Sequence, residues 1–365
     1  MMEQKEYICI EPDYIESFNC DGSKCGGSVC CYGWQQILDE AALLRYRSVP
    51  GDEGERLRKG LVYLPEADNF GFLHTDDHCV FLREDGLCGL QKKYGEQMLT
   101  DVCAEYPRKT RLFPNHILER ALCVTCPAAA DLILQKDKPI HFVQRKLRTS
   151  RSNYFQPAGD TDTLQQLNFF DWQARGLEIL QDRRLPINQR LTVLLQELAE
   201  ADEKLPWGRD AAESIWTPWL FEQQADFFQA FVAGIEDNTV QTRKYLTESE
   251  KIKGQGAGTV ETMLALLEKE IEKPCGLMLE NYLVNEWFKE LYPCAVLGTY
   301  AYNGLYFVVQ WEVWKFLLLL ELKENGKQAD VPVIIRKTAG WLASRLNHYT
   351  AARDVLMGLL RADKG

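Results

Sequence analysis

Cys20-Asp21-Gly22-Ser23-Lys24-Cys25-Gly26-Gly27-Ser28-Val29-Cys30-Cys31 places four thiols in twelve residues, at the spacings Cys20-x4-Cys25-x4-Cys30-Cys31. Outward from it come Cys79-x8-Cys88, then Cys103, then Cys123-x2-Cys126-Pro127. The chain has twelve cysteines, and nine of them fall from Cys20 to Cys126; Cys9 precedes the group, and Cys275 and Cys294 follow it. This asymmetry marks residues 1–150 as a cysteine-dense domain and 151–365 as a second domain of different character.

Thiolates are soft anionic ligands suited to zinc or iron–sulfur sites. Such sites draw several thiolates from different loops, and Gly22, Gly26, Gly27, Gly86 and Gly89 supply backbone freedom for close approach. The adjacent pair Cys30-Cys31 is poorly placed for a disulfide between its own members. Buried free cysteines can serve as small hydrophobes, but nine of them in segments rich in Gly and Asp point to metal. The candidate ligands are Cys20, Cys25, Cys30, Cys31, Cys79, Cys88, Cys103, Cys123 and Cys126, with His78 as a substitute; a histidine beside a cysteine more often makes a local hydrogen bond. Among the spacings only Cys123-x2-Cys126 resembles a zinc knuckle. The bacterial ferredoxin run is absent, as is a Cys-x3-Cys-x2-Cys triplet. Spacing leaves zinc and iron–sulfur both open.

The formal net charge is −11, from 53 acidic and 42 basic side chains. This argues against a nucleic-acid partner, whose phosphates call for Lys and Arg, and is compatible with a lysine-rich protein surface. The first residues, Met1 to Tyr7, lack the basic and apolar regions of a secretory leader. Tyr302–Leu322 is strongly apolar but carries Gln310, Glu312 and Lys315 near its middle, and a charge at the centre of a spanning helix costs about 2.5–3.5 kcal/mol. A buried core helix is expected there, with no membrane association and a cytoplasmic location, where thiols stay reduced.

The first domain is expected to be loop-rich with short helices, one over Gln36–Val49 with Ile37, Leu38, Ala41, Leu44 and Tyr46 on its face. Arg145–Gly159 reads as a polar connection. Helical spacing then recurs over Leu164–Leu180, Ile187–Ala201, Phe221–Ile235, Thr259–Ile271, Leu277–Leu291, Tyr302–Leu322, Val333–Leu346 and Ala351–Leu360. No alternation of strands and helices suggests a doubly wound sheet. Gly254-x-Gly256-x-Gly258 has no strand before it and reads as a turn rather than a nucleotide loop. The fold class expected is mainly α: a loop-rich cysteine-cluster metal domain followed by a helical C-terminal domain.

Cys79-Val80-Phe81-Leu82, Gly86-Leu87-Cys88, Tyr94-Gly95 and Cys103-Ala104-Glu105-Tyr106-Pro107-Arg108 resemble the core of the zinc- or iron-chelating cysteine-cluster proteins. With Cys30-Cys31-x2-Trp34 upstream and a long helical half downstream, the chain resembles the flagellin lysine-N-methylases. The cysteine motifs cover about residues 14–130; beyond them the likeness is one of length and helical character. The resemblance implies methylation of lysine ε-amines on flagellin, with S-adenosylmethionine as methyl donor and a [4Fe–4S] cluster taking part. It places the cluster ligands among the nine cysteines, Cys30-Cys31 and Cys79/Cys88/Cys103 foremost. One cubane takes at most four of them. A lysine stem needs a dry aromatic groove, for which Trp172, Trp207, Trp216, Trp219, Trp287, Trp311, Trp314, Tyr300 and Tyr302 are candidates, although most tryptophans serve core packing. The alternatives are a zinc-stabilised binding protein and an iron–sulfur accessory or metal-handling protein without methyltransferase activity.

Overall fold

The computed structural model describes residues 4–20, 22, 29–32, 34–151, 154–160, 168–201, 224–252, 257–294, 300–326, 329–348 and 352–362. The chain forms two compact units: Met1–Ala129 with Phe142–Gly159, and Ala130–His141 with Asp160–Gly365. Cys25, Trp207, Trp216, Trp219, Gly254 and Gly256 lie outside the described residues.

Unit 1 is built on strands that the sequence reading missed. These are β1 (Lys5–Pro12), β2 (Leu61–Leu64), β3 (Asn69–Phe72), β4 (His74–Thr75), β5 (His78–Cys79), β6 (Arg108–Phe113), β7 (Ile117–Leu122), β8 (Phe142–Thr149) and β9 (Gln156–Pro157). Five of them form a mixed sheet in the order β8-β1-β7-β6-β9; β2 pairs with β3, and β4 with β5. β1 runs antiparallel to β8, with Glu6 opposite Arg148, and parallel to β7, with Cys9 opposite Leu118. Tyr7 and Cys9 point inward from β1, two residues apart, as a strand requires. On β8 the outward positions are Lys146 and Arg148, whose charges are met by Glu6 at 3.0 and 2.9 Å. The expectation of a loop-rich domain therefore gives way to a sheet. Charged residues occupy its solvent face, so no apolar run announces the strands. The expected polar connection, Arg145–Gly159, likewise supplies most of β8 and all of β9.

The cysteine-bearing segments of unit 1 pack with short helices: α1 (Glu40–Ser48), α2 (Gly51–Lys59), α3 (Gly89–Tyr94) and α4 (Asp101–Glu105); α5 (Pro127–Leu134) follows Cys126, and its residues from Ala130 belong to unit 2. Asp39 caps α1 by accepting a hydrogen bond from the Ala42 amide at 2.7 Å. The helix therefore starts later than Gln36; it buries Ala42 and Tyr46, with Leu38 buried just before it, while Ile37 and Leu44 are exposed. These side chains share a core with Leu57, Phe72, Phe81, Leu90 and Leu99, and with Cys31 and Cys79.

Unit 2 is helical. Its main helices are α6 (Phe169–Leu180), α7 (Ile187–Ala201), α8 (Gln224–Gly234), α9 (Val240–Glu250), α10 (Ala257–Leu267), α11 (Gly276–Lys289), α12 (Tyr300–Asn325), α13 (Val331–His348) and α14 (Ala352–Ala362). Eight of the nine follow the expected periodic segments; α9 does not, because its buried side chains are Thr242, Tyr245 and Ser249. α12 is the central element, packed against α7, α9, α10, α13 and α14. It is buried on nearly every side, which is why its sequence is apolar throughout rather than along one stripe. Its buried charges are paired: Lys315 with Glu312 and Lys337 with Glu321, both at 2.7 Å. No helix among the described residues is long and apolar enough to cross a membrane.

Candidate metal centre

Four short segments carry the thiols of unit 1, and each is held by local hydrogen bonds. Leu82 N donates to Cys79 O at 2.9 Å and Gly89 N to Phe81 O at 2.8 Å. Together with the bridge between Leu82 and Cys88, they fold Cys79 and Cys88 into one tight loop. Gly86 takes φ 75° at its turn, a conformation that favours glycine. Buried Gln36 anchors the Cys30 segment by donating to Cys30 O at 3.0 Å and Trp34 O at 2.7 Å, while its own oxygen meets His74 Nε2 at 2.8 Å. Thr100 caps α4 by accepting from Cys103 N at 3.2 Å, and Asp39, the cap of α1, also accepts from Asp101 N at 2.8 Å. Cys123 N donates to Pro107 O at 2.9 Å, and the hydroxyls of Tyr106 and Thr125 are 2.9 Å apart. This joins the Cys103 motif to the Cys123-x2-Cys126 turn.

The segments converge on a cavity of about 160 Å³ lined by Cys20, Cys30, Cys31, Cys88, Cys103 and Cys126 together with Asn19, Gln91, Glu96, Tyr106 and Arg108. Cys79 is buried in the adjoining core, and Cys123 is partly exposed outside the cavity lining. The thiols feel one another: Cys30, Cys31, Cys79, Cys88 and Cys103 lie near enough that charge on one disfavours charge on its neighbours. Burial pushes the Cys79 thiol up to about 11, with the amide N–H groups of Phe81 and Leu82 opposing the rise. Burial likewise raises Cys88, against the N–H groups of Gln91 and Leu90 at the start of α3. Cys103 is raised by burial, against the Thr100 hydroxyl. Cys31 is raised by its hydrogen bond with Cys30 and by burial. Backbone N–H groups directed at sulfur stabilise a thiolate, as at helix N-termini.

As placed, no three His, Cys, Asp or Glu side chains among the described residues form a ready-made metal-ion site. What the fold does assemble is a set of thiols from four segments around one cavity. His78 is not part of it. Its Nδ1 lies 3.0 Å from Asp76 O, and its ring packs 5.5 Å from that of Tyr32. Cys9 is also apart, fully buried in the sheet, hydrogen-bonded to Glu11 and pushed up to about 12 by burial. Sequence reasoning had no purchase on Gln36, Asp39 and Thr100, whose supporting roles depend on partners distant in the chain. Arg108 was within reach, since it closes the Cys103–Arg108 motif.

The aromatic candidates fare differently. Trp287, Trp311 and Trp314 are fully buried core residues of unit 2; the Trp287 indole donates to Gln173 O, Trp311 to Asn188 and Trp314 to Thr338, at 2.9–3.0 Å. They pack the helices and line no groove for a lysine stem. Trp172 and Tyr300 are partly exposed and form a tilted pair, 5.5 Å between ring centres.

The chain is similar to three curated proteins of Salmonella. It is 29% identical over 168 residues to "Flagellar biosynthetic protein FliU" of Salmonella muenchen, an overlap of 42% of this chain and 94% of that protein. It is 30% identical over 143 residues to "Lysine-N-methylase" of Salmonella typhimurium and to the protein of the same name in Salmonella choleraesuis. Those overlaps take in 36% of this chain, and the chain spans about a third of the length of either lysine-N-methylase, 33%. No family model matches the chain, and no solved structure does.

Proposed function

We propose that this chain is a protein-lysine N-methyltransferase acting on flagellin, with S-adenosylmethionine as methyl donor and a [4Fe–4S] cluster held in unit 1. The observation that carries the reading is the convergence of six cysteines from separate segments on one cavity. The names of the relatives, lysine-N-methylase and a flagellar biosynthetic protein, supply the reaction and substrate.

The donor set fits a thiolate-ligated cluster: Cys20, Cys30, Cys31, Cys88, Cys103 and Cys126 line the cavity and Cys79 is buried beside it, and the ligands would be drawn from these. One cubane takes at most four thiolates, and three of this set would hold it while leaving one iron for the methyl donor. When bound, the cluster would supply Lewis-acid iron. Cys31 and Cys79 also pack in the core beside the cavity, and Cys126 closes the turn that leads into α5.

The chain's own tasks follow from the chemistry. The lysine ammonium must first lose a proton, because only the neutral amine is a nucleophile. Its nitrogen then forms a bond to the methyl carbon as the bond from that carbon to the sulfonium breaks, leaving S-adenosylhomocysteine and a methylated lysine. Unit 1 contributes a rigid, partly buried pocket in which the donor is oriented, which is where much of the rate gain of such a displacement arises.

Anaerobic purification with iron, sulfide and visible-absorbance analysis tests the cofactor; coloured protein with iron and sulfide in equal amounts is expected. A colourless protein holding only zinc would favour the second reading, a zinc-stabilised binding module. That reading also draws on the N–H groups directed at Cys79 and Cys88, which suit a four-thiolate zinc site equally well. Incubation with unmodified flagellin and methyl-labelled donor tests the reaction, with label expected on lysine. No transfer under conditions where the cluster is intact would overturn the enzyme reading.

A further inference from the structure

Arg108 stands at the start of β6, directly after Pro107, and lines the thiol cavity. Its guanidinium carbon lies 5.0 Å from the ring centre of Phe18, a cation–π contact that holds the side chain in place. Burial disfavours its charge, while Cys20 of the same cavity and two carboxylates, Glu96 and Glu105, favour it. Both are already engaged by Arg151, at 2.8 and 3.5 Å. Among the described residues no ion pair or side-chain hydrogen bond engages the Arg108 guanidinium. The other arginine it feels, Arg120, is committed to Glu11 at 2.6 Å. A positioned guanidinium with unspent donors, in a cavity otherwise walled by thiols, is an anion-recognition group. Its planar fork matches a carboxylate in two-point contact. The cavity, about 160 Å³, is smaller than the roughly 300–1,000 Å³ of pockets that enclose a whole ligand. With a cluster held by its thiols, it would admit no more than the amino-acid end of an elongated ligand.

We infer that Arg108 binds the α-carboxylate of the methyl donor's amino-acid end, with the nucleoside end lying outside the cavity. This rests on the methyltransferase reading above. The amide side chains of Asn19 and Gln91 line the same cavity and offer acceptors for the neighbouring α-ammonium. Arg108 thereby decides which sulfonium enters: one bearing a carboxylate is held, and one lacking it is not.

The test uses metal-loaded full-length protein and equilibrium binding of S-adenosylmethionine against its decarboxylated analogue. The wild type should prefer the carboxylate-bearing donor by about 10- to 100-fold, the range of a charge-assisted hydrogen bond. Arg108→Met should bind both donors as weakly as the wild type binds the analogue, with metal content and absorbance unchanged. Arg108→Lys, which keeps the charge without the fork, should recover part of the preference. Equal binding of the two donors by the wild type, or undiminished S-adenosylmethionine affinity in Arg108→Met, would overturn the assignment while leaving the methyltransferase reading intact. Loss of the metal in both variants would overturn it in favour of a structural role. A wild type that binds neither donor would remove the methyl-donor reading and this assignment together.

Discussion

Asp237 shows how much one side chain carries in unit 2. Its buried carboxylate accepts from Arg345 Nε at 2.7 Å and from the Thr242 hydroxyl, and the Thr239 amide reaches its other oxygen at 3.1 Å. Burial would raise its pKa, but Arg345 and Thr242 hold it below the ordinary value. A depressed carboxylate contributes stability that is complete above its unfolded value, about 3.9, and is lost as pH falls through the lower folded value. Asp237→Asn should cost about 3 kcal/mol at neutral pH, because Arg345 loses its counter-charge in a buried site. In urea titrations across the acid range, the variant should lack part of the wild type's loss of stability. At the proposed metal site the same scale separates ligand from bystander. Cys103→Ser should abolish stoichiometric metal binding, whereas Cys9→Ser, away from the cavity, should keep it, measured as metal per chain after gel filtration. Equal loss in both would count against the cavity thiols as the ligands. Cys9, buried at the sheet, should resist alkylation in the folded protein, checked by mass spectrometry of peptides after a short iodoacetamide pulse.

At the scale of elements, helix packing in unit 2 leaves little slack. α6 approaches α11 so closely that a Cβ on Gly176 would overlap the indole of Trp287, whose N–H is fixed by Gln173 O at 3.0 Å. A rigid, fully buried ring cannot move aside as a Leu terminus could. Gly176→Ala should therefore destabilise by about 1–3 kcal/mol, the cost of overpacking, despite alanine's better helix propensity. Chemical denaturation reads the difference, and a variant as stable as the wild type would show that the two helices can shift apart. The contrast between α12 and α9 explains what periodicity can detect. α12 is apolar all round because it is surrounded, and its length and type are plain from the sequence. α9 buries Thr242, Tyr245 and Ser249, so its inward face looks polar. Thr242 is buried because it bonds Asp237 and accepts from the Trp341 indole at 3.1 Å, partners that no local pattern reveals.

For the whole molecule, the two units differ in what holds them. Unit 2 is secured by apolar helix packing and buried ion pairs such as Glu280 with Arg183 and Arg190, both at 2.8 Å. Unit 1 packs cysteines into its core where larger hydrophobes would otherwise sit, and ligand deprotonation and metal binding would be coupled to its folding. Removing bound metal by chelation should raise amide exchange across residues 30–110 and leave α11 and α12 protected. Hydrogen-exchange mass spectrometry checks this, and unchanged exchange in unit 1 would show that its fold is independent of metal.

The sequence by itself determined the helical half and the crowding of cysteines into the first third. Both are local properties, the one a repeat near 3.6 residues and the other a composition. It did not reveal the sheet of unit 1, whose main strands β1, β6, β7 and β8 are only six to eight residues long and, in β6 and β7, bury positions without a two-residue alternation. Nor could spacing choose among nine thiols, because ligand sets are defined by distance in space and these thiols are up to 106 residues apart, Cys20 to Cys126. Only the tertiary structure brought Cys20, Cys30, Cys31, Cys88, Cys103 and Cys126 to one cavity and placed Arg108 in its wall. It also moved Trp287, Trp311 and Trp314 from candidate substrate groove to core. The physical reason is the same in each case: a side chain's role depends on what desolvates it and what charge it meets, and both are set by residues far away in the chain.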